Sequence, residues 1–196
     1  MEKIVLFDGT DLSMWHPRSD PDKTPDWKIE DGAMTVGHED ILSRVKFGDA
    51  QIHLEFRTPY MPQCQGQARG NSGVYVHGCY EIQVLDSYGK EEAKEDDCGG
   101  LYSIAKPLCN ACLPPETWQS YDIIIRAPRF NQYGEVSENG RMTVIQNGIC
   151  IHNNIILPSV TPGGVTDNRR VAEGCLMLQD HGGDQVSYRN VWIRKL

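Results

Sequence analysis

Apolar residues in this chain recur at every second position, and no stretch keeps a 3.6-residue apolar period for more than about two helical turns. From Gln51 to Thr58, Ile52, Leu54 and Phe56 fall on one face and Gln51, His53, Glu55 and Arg57 on the other, the pattern of a strand with one buried side. The same period returns in Tyr80 to Asp86, with Ile82 and Val84 against Glu81 and Gln83, and in Cys175 to Asp180, with Leu176 and Leu178 against Met177 and Gln179. Asp31-Gly32 and Asn147-Gly148 are turn pairs at which both residues tolerate positive φ, so each predicts an antiparallel hairpin. Pro or Gly interrupts most other segments, leaving Lys90 to Asp97 as the one candidate helix, for which a solvated loop is the alternative. Many short strands joined by turns predict an all-β chain, a sandwich or barrel.

The 196 residues show no linker, repeat or low-complexity tract, so one domain spanning 1–196 is expected. A composition of 39% hydrophobic residues with 19 Gly and 11 Pro is that of a folded, turn-rich protein. The net charge of −8 and the lack of a Lys/Arg cluster argue against nucleic acid as a partner. No apolar run approaches the roughly 20 residues that cross a bilayer, so no membrane partner is expected. The first residues are acidic where a signal peptide is basic and then apolar, which points to the cytoplasm, a trimmed secreted form being the alternative. Seven cysteines form no regular disulfide framework; Cys109 and Cys112 have the spacing of a zinc knuckle or redox pair, but no second pair follows.

If the three alternating strands adjoin, Glu55, Arg57, Glu81, Gln83, Gln179 and His181 converge on one polar surface. Alternation alone favours the plainer reading, an ordinary solvated sheet face. The segments Leu6-Phe-Asp-Gly-Thr-Asp-Leu-Ser-Met-Trp15, Trp27-Lys-Ile-Glu-Asp-Gly32, Asn71-Ser-Gly-Val-Tyr-Val, Tyr80-Glu-Ile-Gln-Val-Leu-Asp-Ser-Tyr-Gly89, Cys98-Gly-Gly-Leu-Tyr102, Leu178-Gln-Asp-His-Gly182 and Tyr188-Arg-Asn-Val-Trp-Ile-Arg194 run in order along nearly the whole chain. In these motifs the chain resembles the 3-keto-disaccharide hydrolase family.

The resemblance implies a two-sheet antiparallel jelly-roll sandwich of the concanavalin A-like kind, whose concave sheet holds a small carbohydrate. It also implies a substrate class, glycosides with a ketone at carbon 3, in which the hydrogen on carbon 2 is acidic and can be taken by a base while the group on carbon 1 leaves. Carried over by motif, Glu81 and His181 are the candidate acid and base, and Arg57 and Arg189 candidate enolate stabilisers. Glu55, Gln83 and Gln179 are candidate substrate contacts. His77 joins them, standing where relatives often have Arg, as does Trp118, an indole after a Pro-rich loop that could stack on a sugar ring. Asn71-Ser72-Gly73 reads as a turn.

No cofactor is demanded. A divalent metal would serve enolate chemistry, with Asp86 and Asp180, beside Glu81 and His181, as its candidate ligands. Two rival readings stand beside the first. One is a noncatalytic carbohydrate-binding domain; the other is a retaining glycosidase using Glu55 and Glu81 on neighbouring strands.

Overall fold

The structure is a computed structural model that describes residues 2–196. Its strands are, in chain order, β1 (Lys3–Phe7), β2 (Trp15–Pro17), β3 (Lys28–Glu30), β4 (Ala33–Thr35), β5 (Ile41–Phe47), β6 (Ala50–Arg57), β7 (Ser72–Val76) and β8 (Tyr80–Val84). They continue with β9 (Gln119–Arg126), β10 (Arg129–Phe130), β11 (Val136–Glu138), β12 (Gly140–Gln146), β13 (Ile149–Leu157), β14 (Gly174–Leu178) and β15 (Ser187–Lys195). Lys90 to Asp97 is a loop, held closed by a Lys90–Asp97 ion pair and by the Lys94 N–H donating to Asp97.

Two antiparallel sheets carry the fold. The larger runs β13-β12-β9-β6-β15-β4-β3, with β1 added on β15, and the smaller runs β2-β5-β14-β7-β8. Both expected hairpins are present: Asp31 and Gly32 sit at φ 51° and 72° between Glu30 and Ala33, and Asn147 and Gly148 at 53° and 80° between Gln146 and Ile149. The sheets face each other across one apolar cluster to which Ile52, Leu54 and Phe56 contribute from β6 and Val74, Ile82, Val84 and Leu176 from the smaller sheet. This is the two-sheet jelly-roll sandwich, and no helix long and apolar enough to cross a membrane occurs among the described residues.

The topology corrects one expectation. β6 lies in the larger sheet, between β9 and β15, whereas β8 and β14 lie in the smaller, so the three alternating strands do not adjoin. Identical two-residue periods were produced by two sheets that turn their polar faces in opposite directions from a shared core. The outcomes differ as well. On β6 the polar face is half-open, but on β7 and β8 both faces are buried, because loops roof the smaller sheet. Glu81 is 4% exposed and Gln83 2%, so neither belongs to a solvated face.

Candidate active site

Beside the loops over the smaller sheet lies an open cavity of about 220 Å³. Gln67 and Asn71 form one wall, Tyr102, Pro162 and Gly163 another, Tyr75, Glu81 and Gln83 the floor, and Gln179 and His181 the side nearest β14. Four of the residues picked from sequence, Glu81, Gln83, Gln179 and His181, are therefore brought together.

Glu81 owes its position to pairing. It stands opposite Tyr75 across the β7–β8 ladder, and Gly73, two residues before Tyr75, lies on the same face. A Cβ added to Gly73 would come within 2.3 Å of Glu81 Oε1, so the missing side chain is what lets the carboxylate lie across β7. The Tyr75 hydroxyl is 3.0 Å from both Glu81 Oε2 and the Pro162 carbonyl, and Gln179 Nε2 donates to it at 3.4 Å. Burial raises the Glu81 carboxyl from its ordinary 4.5 to about 7, opposed by the Tyr75 hydrogen bond and assisted by the charge of Asp40. A buried carboxyl titrating near neutrality inside a cavity is the signature of a proton-transferring group.

Gln83 is held rather than free: its Nε2 donates to Gln67 Oε1 at 3.0 Å and Asn71 Oδ1 at 3.3 Å. Asn71 is buried and donates to the Gln67 carbonyl at 2.8 Å, which ties it to its neighbour in the cavity lining. Ser72 does fill a core role, donating to the Gln179 carbonyl at 2.6 Å, but Asn71 lines the cavity and Gly73 lies within β7, so neither stands in a turn. His181 is exposed, on the turn after β14. That turn is fixed by Asp180, which accepts the Glu39 N–H at 3.2 Å and the Gly183 N–H at 3.0 Å, and whose own N–H donates to Asp40. Asp40 in turn pairs with Arg18 at 2.8 Å, and Arg18 donates to the carbonyls of Gly163 and Gly164. One ion pair thus ties the His181 turn to the opposite lip of the cavity.

The other sequence candidates lie elsewhere. Glu55, Arg57 and Arg189 point from the outer face of the larger sheet, where Arg189 pairs with Glu55 at 2.7 Å. Burial pushes the Glu55 carboxyl up, but the Asn190 and Arg189 bonds more than offset it and leave the carboxyl below its ordinary range. The guanidiniums of Arg57 and Arg189 lie 4.8 and 4.1 Å from the Trp118 ring, so that indole is engaged by cations on the face opposite the cavity. The structure does not bring Arg57, Arg189, Glu55 or Trp118 to this cavity, and it places Glu55 and Glu81 on different sheets rather than on the neighbouring strands a retaining pair needs.

His77 turns the chain from β7 to β8 at φ 57°; its Nε2 donates to the Gly48 carbonyl at 2.9 Å and its ring packs on Phe47, away from Glu81. Asp86 is buried against Arg69, 3.2 Å away, where it clamps the loop before β7. With Asp86 and Asp180 both committed to loop anchoring, a metal held by Glu81, Asp86, Asp180 and His181 does not fit, and among the described residues no three His, Cys, Asp or Glu side chains are grouped to hold one. Cys109 is exposed while Cys112 is buried, its thiol donating to the Leu113 carbonyl at 3.4 Å, so the two-residue spacing does not form a knuckle. The neighbouring Cys98 and then burial push the Cys112 thiol up.

Tyr75, Tyr102, Gln67 and Arg18 were missed from sequence. Tyr75 alone carried a signal, its parity with Gly73 in Asn71-Ser-Gly-Val-Tyr75; the others come from loops whose approach no period reports.

A jelly-roll sandwich with a polar, carboxyl-bearing cavity on the outer face of one sheet belongs with carbohydrate-active proteins of the glycosyl hydrolase kind. The chain is a member of the 3-keto-disaccharide hydrolase family: the family model described as a 3-keto-alpha-glucoside-1,2-lyase-like domain matches residues 2–194. A crystal structure from Parabacteroides distasonis that carries a glycosyl hydrolase designation is 38% identical, with a TM-score of 0.90 over 99% of this chain and 84% of that one. A second of the same designation and organism is 22% identical, with a TM-score of 0.72 over 99% and 94%. The alginate lyase Aly36B, at 13% identity and a TM-score of 0.55 over 99% and 97%, shares the fold. No curated protein matches the chain.

Proposed function

We propose that this protein cleaves 3-keto-glycosides by elimination and hydration, with Glu81 as the base that takes the hydrogen from carbon 2. The observation that carries the reading is the buried Glu81 carboxyl, pushed up to about 7 beneath a cavity of about 220 Å³. A base of that strength is half-ionised at neutral pH and suits a carbon acid activated by a neighbouring ketone. The family membership supports the substrate class, and the cavity's small size suits one sugar ring with the group on carbon 1 directed outward.

In the first step Glu81 removes the carbon-2 proton, the electron pair forms the enolate on the carbon-3 oxygen, and the carbon 1–oxygen bond breaks to leave an enone. Gln179 and Tyr102 supply the hydrogen-bond donors on the cavity wall that meet the developing enolate, the part assigned from sequence to Arg57 and Arg189. His181, at the mouth, protonates the departing oxygen and then takes a proton from the water that adds to carbon 1. Carbon 2 recovers its proton from Glu81, which closes the cycle with net hydrolysis. Tyr75 holds the carboxylate against Gly73, so the base is oriented before substrate arrives.

Purified protein given a 3-keto-glucoside and the matching unoxidised glucoside tests this directly. Release of 3-ketoglucose from the first alone supports the proposal. Cleavage of the unoxidised sugar, or saturable binding of both with no turnover, overturns it.

A further inference from the structure

At the other end of the same sheet lies a second and larger cavity, of about 560 Å³, that the proposed reaction does not use. The segment Pro162 to Val165 separates the two. Thr161 and Val165 donate their N–H groups to the carbonyls of Cys79 and Gly78, and Gly164 sits so close to the β7–β8 turn that a Cβ there would come within 2.3 Å of the Gly78 carbonyl. Pro162 and Gly163 line the Glu81 cavity, whereas Val165 onward line the second.

The second cavity runs against the charge of the molecule. The chain carries a net −8, yet Arg44, Lys46, Arg169 and Arg170 border this space, against the carboxylates Asp167 and Glu173. Only Arg169 is neutralised, by Asp167 at 3.1 Å. The Arg44 guanidinium spends its hydrogen bonds on the carbonyls of Ser13, Pro21 and Lys23, and Arg170 donates to the Asn139 side chain at 2.6 Å. Among the described residues Lys46 has no ion-pair partner, so three of the four cations bordering the cavity have no carboxylate paired to them, against one unpaired carboxylate, Glu173. Such an arrangement lowers the cost of holding an anion.

The remaining wall asks for hydroxyl groups and a carbon skeleton. His16 Nδ1 is 2.8 Å from the Pro17 carbonyl, which can only accept, so Nδ1 carries the proton and Nε2 of the neutral ring is left as an acceptor. The floor is Leu42, Val165 and the Cys175 thiol, which burial pushes up to about 11 and so keeps protonated. An apolar floor, a lone-pair acceptor and unpaired cations together match a sugar ring that bears an anionic group.

We propose that this cavity is a binding site, separate from the Glu81 cavity, for a sugar carrying a carboxylate or phosphate. The site does not rest on the elimination chemistry, and the two ideas stand or fall apart.

Calorimetry with glucuronate, glucose 6-phosphate, inorganic phosphate and glucose tests it. One of the two anionic sugars should bind with a dissociation constant below about 10 mM and glucose should not. Whichever binds identifies the anion. The K46Q/R170Q variant should weaken that binding roughly tenfold or more, and K46Q alone by a smaller factor, because each removes a charge-assisted hydrogen bond. Both should keep the wild-type thermal midpoint and wild-type turnover of a 3-keto-glucoside. The site is overturned if neither anionic sugar binds, if inorganic phosphate binds as well as both, if binding survives K46Q/R170Q, or if E81Q abolishes it in their place.

Discussion

Replacing Glu81 with Gln should remove a pH dependence from the stability of the fold. The native carboxyl titrates at about 7 against an ordinary 4.5. At ~1.4 kcal/mol for each pH decade, that separation is worth roughly 3 kcal/mol. A carboxyl raised on folding stabilises the native state fully below its unfolded value, and the contribution is lost as pH rises through the native value. Wild-type stability should therefore fall between about pH 4.5 and 7 by that amount from this one group, because the ionised Glu81 is held in a buried place that gives it neither water nor a cation. Gln keeps the shape and a hydrogen-bonding group for Tyr75 and cannot ionise. Urea unfolding of both proteins at about pH 5 and pH 8, with reductant to protect the thiols, gives the difference at each pH. The variant should gain about 2.5 kcal/mol relative to wild type between the two conditions, a midpoint change on the order of 1 M urea. A difference that stays constant across this range would refute the claim that burial sets the Glu81 carboxyl.

Gly73→Ala should cost roughly 100-fold in turnover of a 3-keto-glucoside, since its Cβ would push Glu81 Oε1 from a position 2.3 Å away. His181→Gln should lower turnover by about 100-fold while leaving the thermal midpoint unchanged, the side chain being exposed on its turn. Trp118→Ala and Arg57→Gln, on the outer face of the larger sheet, should leave kcat/KM within about twofold of wild type, and a large loss in either would return the larger sheet to the site.

What the sequence revealed depended on whether local pattern or long-range pairing set the outcome. The strand periods and the Asp31-Gly32 and Asn147-Gly148 hairpins are local, governed by alternation and by φ, and the structure has them where expected. Which strands adjoin is decided by pairing across the chain, and there alternation is silent: β6 and β8 carry the same pattern on opposite sides of the sandwich. Glu81, Gln83, Gln179 and His181 came from motifs on β8 and just after β14, strands separated only by β7, so those four met in one cavity. Glu55, Arg57, Trp118 and Arg189 met one another instead. His77 is a candidate contact by resemblance alone, but its positive φ makes it the turn between β7 and β8, and Asp86 and Asp180 look like ligands until their backbone and Arg69 partners are seen.

The most direct test of Glu81 as the base follows the hydrogen on carbon 2. A 3-keto-glucoside deuterated at carbon 2 and incubated in ordinary water, with proton NMR on substrate and product, should show a primary isotope effect on cleavage or loss of the label to solvent. E81Q should abolish both. Cleavage with the carbon-2 label fully retained and no isotope effect, or label loss that continues undiminished in E81Q, would contradict the assignment.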